Sequence, residues 1–217
     1  MTVSFNDTLE RFNIKERNLL VRTVLGHSQE SPLALSEAFY NELTEALPLP
    51  KAKPENVRWW TDYHLNWLVA ALKIFEYGEA AVDIRHINAD IKSNLEDLDL
   101  LVGIEFPECH LIGIEAKTRH LTSKDKEQIK RKLKRLIPLY HSFAKVGIRF
   151  HFMIMTPEGC EAPKGLLPDH WIYKSSPVPR LRLVMCDAEQ PLLLKCSCFA
   201  PDERDGKKDH WRYLRTK

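Results

Sequence analysis

The chain has 217 residues, 44% of them hydrophobic and 29% charged, with a net charge of +2, the balance of an ordinary globular protein that can bury one substantial core. No apolar run reaches the ~20 residues that span a bilayer, and MTVSFNDTLERF lacks the basic-then-apolar layout of a secretory leader, so a cytoplasmic protein is expected. Five cysteines without framework spacing agree with a reducing compartment, and a charge so near zero is no argument for nucleic acid by itself.

Residues 1–27 read as helical. Asn13 with Glu16 three positions on fits a capping box for IKERNLLVRTVLG, and Gly26 ends that helix. Leu20 and Val24 make a stripe, with Glu16 on it one turn earlier. A second helix is expected over 31–47, opened by Ser31-Pro32, and LPLPKAKPEN follows as a proline-rich connector. After Trp59-Trp60, Thr61 caps a helix whose broad apolar face comprises Leu65, Leu68, Val69, Leu72 and Phe75. Asp62 and His64 fall in its first turn, where an acidic group also stabilises the helix dipole. AAVDIRHIN alternates as a strand.

The stretch NLEDLDLLVGIEFPECHLIGIEAK, 94–117, reads with a period of two as two strands about a turn at Phe106-Pro107-Glu108. Leu98, Leu100 and Val102 point one way, Asp97 and Asp99 the other. On the second strand Ile112, Ile114 and Ala116 oppose Gly113, Glu115 and Lys117. A hairpin symmetric about Pro107 sets Asp99 across from Glu115 and Asp97 across from Lys117. Two adjacent carboxylates repel unless one is protonated or a cation sits between them, and Mg²⁺ favours one or two carboxylates plus waters and phosphate oxygens. The plainer reading is a surface hairpin with cross-strand salt bridges.

Beyond Lys117, Thr122 or Ser123 caps a helix to about Tyr140, with Ile129, Leu133, Leu136, Ile137 and Tyr140 as its core stripe and Pro138 loosening its last turn. Lys124, Gln128, Lys132 and Arg135 share an adjacent face. From Arg119 to Arg135 eight Lys or Arg stand against two acidic residues, a basic helix beside an acidic pocket that would suit a phosphodiester, or else a solvated face. GIRFHFMIMTP, 147–157, is apolar enough for a central strand. Loop is expected over 158–179, then three short strands in LRLVMCD, PLLLKCSCF and HWRYLRT. Cys196-x-Cys198 with His210 lacks the second ligand pair of a structural zinc site.

An acidic residue on one strand, a hairpin, then Glu-x-Lys on the next, as in Asp99 and Glu115-Ala116-Lys117, resembles the PD-(D/E)xK nuclease superfamily, over roughly residues 60–156. The resemblance implies an α/β, restriction-endonuclease-like mixed central sheet flanked by helices, with an N-terminal helical extension and extra C-terminal strands. It divides one domain, 1–217, into a helical lead-in (1–58), a nuclease-like core (59–156) and a strand elaboration (157–217). The implied activity is Mg²⁺-dependent hydrolysis of DNA, with Mn²⁺ able to substitute. Asp99, Glu115 and the Ala116 carbonyl would hold the metal, and Lys117 would orient the attacking water or stabilise the transition state. Glu16 or Asp62 would be the helix-borne acidic residue, and Gln128 would support the site. Lys124, Lys132 and Arg135 would contact the nucleic acid. Nucleases of this kind often act as homodimers. Replacing Asp99, Glu115 or Lys117 by Ala is expected to abolish cleavage and leave the fold intact. A nucleic-acid-binding module without catalysis is the alternative.

Overall fold

The computed structural model describes residues 4–13, 15–27, 33–47, 49, 57–78, 96–117 and 121–156, together with the backbone of 180–182, 194–199 and 210–215. The chain divides into two compact units, Met1–Leu183 and Val184–Lys217.

The first unit is an α/β body built on a mixed sheet of order β1-β2-β3-β4-β5: β1 (Val57–His64), β2 (Asp97–Ile104), β3 (Cys109–Ala116), β4 (Ile148–Thr156) and the short β5 (Arg180–Arg182). β1, β2 and β3 run antiparallel in sequence, while β3, β4 and β5 are parallel. A parallel neighbour needs a crossover, and between β3 and β4 that crossover is the long helix Ser123–Lys145. Among the described residues four shorter helices precede it: α1 (Phe5–Glu10), α2 (Glu16–Val24), α3 (Glu37–Ala46) and α4 (Leu65–Tyr77), so the crossover helix is labelled α5.

Both faces of the sheet are apolar and covered. On one, Trp60, Tyr63, Leu98, Leu101, Leu111, Phe150, Phe152 and Ile154 pack with Phe5 and Leu9 of α1, Leu68 and Leu72 of α4, and Ile129, Leu133, Leu136 and Phe143 of α5. On the other, Val102, Ile104, Ile112, Ile114 and Met153 pack with Leu43 and Leu47 at α3. The paired strands of the hairpin are therefore interior, and Glu115, fully buried, is not a residue of a surface ribbon.

β2 and β3 pair as the alternation predicts, Leu100 with Ile114 and Val102 with Ile112, symmetric about Pro107. The Phe106-Pro107 peptide bond is cis. One part of the expected pattern is overturned. Leu98 packs with Leu101 under the helices, whereas Leu100 and Val102 pack on the α3 side. Two residues three apart cannot share a face of a regular strand. The break coincides with Asp62 on the neighbouring strand, whose φ of 50° lies in the left-handed region, and the β1–β2 ladder skips Asp62 between Thr61–Leu100 and Tyr63–Leu98.

The helix expected from Thr61 begins only at Leu65, and Thr61 to His64 are strand. VRWWTDYH is rich in aromatic and β-branched residues, which suit a pleated surface, and pairing along β2 outweighs the capping signal at Thr61. The strand expected in AAVDIRHIN lies outside the described residues. At the N-terminus there are two helices. α2 is capped by Lys15 with no side-chain bond, so the Asn13–Glu16 box does not form. Leu20 and Val24 are exposed, as is Glu16, and what α2 turns inward is Asn18, whose Oδ1 accepts from the backbone N–H of Thr61. Gly26 does end α2: at φ 74° it lets its own N–H reach the Thr23 carbonyl and that of His27 the Arg22 carbonyl, a Schellman closure. α3 starts at Glu37 with Ser36 as cap, later than Ser31-Pro32 predicts. α5 opens on a capping box between Thr122 and Asp125 and passes through Pro138 to Lys145.

In the second unit, β6 (Leu194–Phe199) and β7 (His210–Arg215) form an antiparallel pair. Cys196 pairs with Tyr213 and Cys198 with Trp211, while His210 stands opposite Phe199 and neither cysteine.

Two features of the body carry testable consequences. A Cβ on Gly103 would collide with Oδ1 of Asn6, a buried side chain whose amide donates to the Gly103 carbonyl. Gly103→Ala is expected to lower stability by about 1–3 kcal/mol through displacement of α1, read as a lower urea midpoint at unchanged slope. On the α3 side, His110 Nδ1 and His151 Nε2 are 3.0 Å apart, and His110 Nε2 faces Glu108, which also pairs with Arg149. Burial pushes His151 down to about 4 and lowers His110. The unfolded chain takes up protons below about pH 6.5 that the folded chain refuses, so stability should fall from there toward pH 4, by up to about 1.4 kcal/mol per pH unit per histidine. Urea titrations between pH 7 and 4 should show this slope, and His151→Gln should flatten it.

Candidate active site

β3 ends at Ala116, and its last inward residue on the helix-covered face is Glu115, following Leu111 and Gly113 by alternation. Glu115 is fully buried. A buried carboxylate is tolerable only when it is paired and hydrogen-bonded, and Glu115 has an ammonium on each oxygen. Lys117, just past the strand end, donates to Oε1 at 2.6 Å. Lys132 donates to Oε2 from α5.

Lys132 is 1% exposed. On α5 the buried residues Asp125, Ile129, Lys132, Leu136, Leu139 and Phe143 follow one another by four and three, the spacing of a single interior stripe. Lys132 is thus a charged member of a core stripe, flanked by Ile129 and Leu136, and stands over the end of β3. This corrects its expected place on a basic outer face: an ammonium buried against Glu115 cannot meet a nucleic acid. Arg135, on the next turn, is half-buried and held by Asn66 and Glu96, so it too faces the protein. Gln128, one turn before Lys132, is half-buried, and Lys124 is exposed.

Asp99 completes the group. It is not directly cross-bonded to Glu115. Its Oδ2 accepts the backbone N–H of Ala116 at 2.7 Å, closing the ladder where regular pairing stops. Burial first, and then the nearby Glu115 charge, hold the Asp99 carboxyl above the usual carboxylate range; the Ala116 N–H, Lys132 and Lys117 pull the other way. Asp99, Glu115, Lys117 and Lys132 therefore form one coupled cluster of two carboxylates and two ammonium groups.

The structure does not join the other expected residues to this cluster. Glu16 is exposed in the first turn of α2. Asp62 falls opposite Asp99 by register, but on β1 rather than on a helix, and Arg17 of α2 pairs with it at 3.1 Å. Asp97, expected across from Lys117, pairs instead with Lys15 at 3.1 Å. His64 lies in the same neighbourhood, its basicity lowered by burial and by Lys15 against the opposing pull of Asp97 and Asp62. A cavity of about 520 Å³ lined by Pro107, Cys109, Tyr140 and Arg149 opens beside the hairpin turn, at the far end of β3 from Glu115.

Among the described residues no three His, Cys, Asp or Glu side chains come together as a metal cage would require. Two carboxylates are nonetheless the donor set Mg²⁺ accepts, since it keeps most of its waters and takes further oxygens from a phosphate. Asp99 and Glu115 are hard oxygen donors, close enough that the Glu115 charge helps hold the Asp99 carboxyl above its usual range, so they fit such an ion in kind. Glu115 would have to exchange a lysine for it. No protein-family model, no curated protein and no solved structure matches the chain.

The buried pair makes a prediction. Glu115→Gln leaves Lys132 desolvated without an anion and should cost about 3–5 kcal/mol. Adding Lys132→Met should return most of that, so a double-mutant cycle in urea is expected to show strong coupling.

Proposed function

We propose that the chain is a divalent-metal-dependent nuclease acting on DNA, with a restriction-endonuclease-like core and its site at Asp99, Glu115 and Lys117. The observation that carries the reading is the convergence of two interacting carboxylates and Lys117 at the paired ends of β2 and β3, beside a crossover helix packed on the same face. Asp99 and Glu115 would hold Mg²⁺ or Mn²⁺, and the metal would supply a polarised phosphate and an acidified water. Lys117 is the more solvent-facing of the two lysines, its side chain 17% exposed against 2% for Lys132. It is the group able to meet a phosphate oxygen or orient a water. The Ala116 N–H fixes the Asp99 carboxylate, leaving its other oxygen for the metal. Lys126, Lys130 and Lys134 repeat every four residues along the exposed side of α5, with Lys124 near its start. They replace Lys132 and Arg135 as the groups for backbone phosphates.

The test is cleavage of plasmid and oligonucleotide DNA with Mg²⁺, with Mn²⁺ and with chelator. Activity should require the metal. Asp99→Asn and Lys117→Ala should each reduce it by at least about a hundredfold while the circular dichroism spectrum stays unchanged. Glu115→Ala is a poorer probe than the sequence implies, because it also orphans Lys132. Wild-type rates in either clean variant would sink the assignment. One observation favours a second reading, a nucleic-acid-binding module without catalysis: each oxygen of Glu115 already has a lysine, so the carboxylate is balanced without metal. DNA binding that is indifferent to Mg²⁺, with no cleavage, would select it.

A further inference from the structure

We infer that Lys132 is a built-in counter-ion that a divalent cation must displace from Glu115, so that this lysine weakens and regulates cation binding at the proposed site. The inference rests on the reading of Asp99 and Glu115 as cation ligands, and it goes beyond that reading in assigning Lys132 a role.

The geometry leaves Glu115 no unoccupied oxygen: Lys117 holds Oε1 and Lys132 holds Oε2. Two carboxylates against two ammonium groups give a local charge of zero. Inserting a divalent ion into that balanced set would leave two excess positive charges in an interior where Coulomb energies are several times those in water. Removing one ammonium from contact restores attraction between the ion and the carboxylates. Of the two, Lys132 is the one to be displaced: its side chain is 2% exposed against 17% for Lys117, so its charge is the less screened by water and bears hardest on an entering cation. Without metal, the same lysine makes the burial of Glu115 possible. The site is thereby folded and closed in the absence of the ion, and the ion enters by exchange.

The experiment is Mn²⁺ titration calorimetry and thermal melting, with and without Mn²⁺, on the wild-type protein, Lys132→Met, Lys132→Gln and the charge-preserving Lys132→Arg. Lys132→Met and Lys132→Gln should bind Mn²⁺ at least about tenfold more tightly, a floor set well below the repulsion removed. Lys132→Arg should stay near wild type. Both neutral variants should melt lower than wild type without metal, and saturating Mn²⁺ should close most of that gap by mass action. Equal or weaker binding by folded Lys132→Met overturns the inference while leaving the metal site standing. Absence of Mn²⁺ binding to both wild type and variants at millimolar concentration removes the metal site, and this inference with it. Should the neutral variants fold only with Mn²⁺ present, the exchange is supported. Should they fail to fold even then, it is overturned, because the ion could not do what the lysine does.

Discussion

The carboxylate of Glu115, held between Lys117 and Lys132 in the interior of the molecule, is the interaction on which the arrangement of the first unit turns. Taking a carboxylate and an ammonium out of water costs several kcal/mol apiece, and their attraction compensates only when the geometry is good. An apolar pair at these positions would be no harder to fold. The ion pair is therefore weak evidence of added stability. It also fixes α5 along its length: Lys132 finds Glu115 only if Ile129 and Leu136 lie over β3 and β4 in one register, so the same contact sets helix and site together.

Around this pair, polar groups stitch the leading helices to the sheet. Trp60 Nε1 donates to Glu10 at 2.6 Å, the Tyr63 hydroxyl donates to the Leu9 carbonyl at 2.9 Å, and Asn18 receives the Thr61 N–H. Lys15 and Arg17 at the start of α2 meet Asp97 and Asp62 on β2 and β1. Among them, Asn18 takes up the Thr61 N–H of the edge strand β1, a backbone group that would otherwise be open to another strand. α2 thus docks by hydrogen bonds and charges and keeps Leu20 and Val24 in solvent, which no count of apolar residues would have foreseen.

Much of the body was legible. Alternation around Pro107 gave the β2–β3 register, because a period of two leaves no freedom once the turn is placed. The apolar residues of GIRFHFMIMTP, interrupted by Arg149 and His151, marked a buried central strand, and Thr122 and Gly26 were read from local chemistry; of the expected α5 stripe Ile129, Leu133 and Leu136 are buried, while Ile137 and Tyr140 are only half-buried. The signal failed where tertiary contacts overrode local preference. β1 passes into α4 at His64 and Leu65 without a turn residue, so nothing in the sequence separates strand from helix. Leu98 changes sides where the β1–β2 ladder skips Asp62, one strand away. Lys132 was the informative miss. Three residues after Ile129 and four before Leu136, it interrupts an otherwise apolar stripe, and a lysine there signals a buried anion opposite. Grouping it with Lys124 and Arg135 by charge hid that it belongs with the leucines by phase.

The Ala116 N–H reaches Asp99 and Lys132 reaches Glu115, both across seventeen residues of chain, so neither contact is the more local. They differ in what they bring together: the first joins two paired strands, the second brings an ammonium from a separate element onto a buried carboxylate. Closing this interior therefore entails the joint dehydration of two opposite ions, an event sensitive to dissolved salt in a way that the meeting of oily surfaces is not.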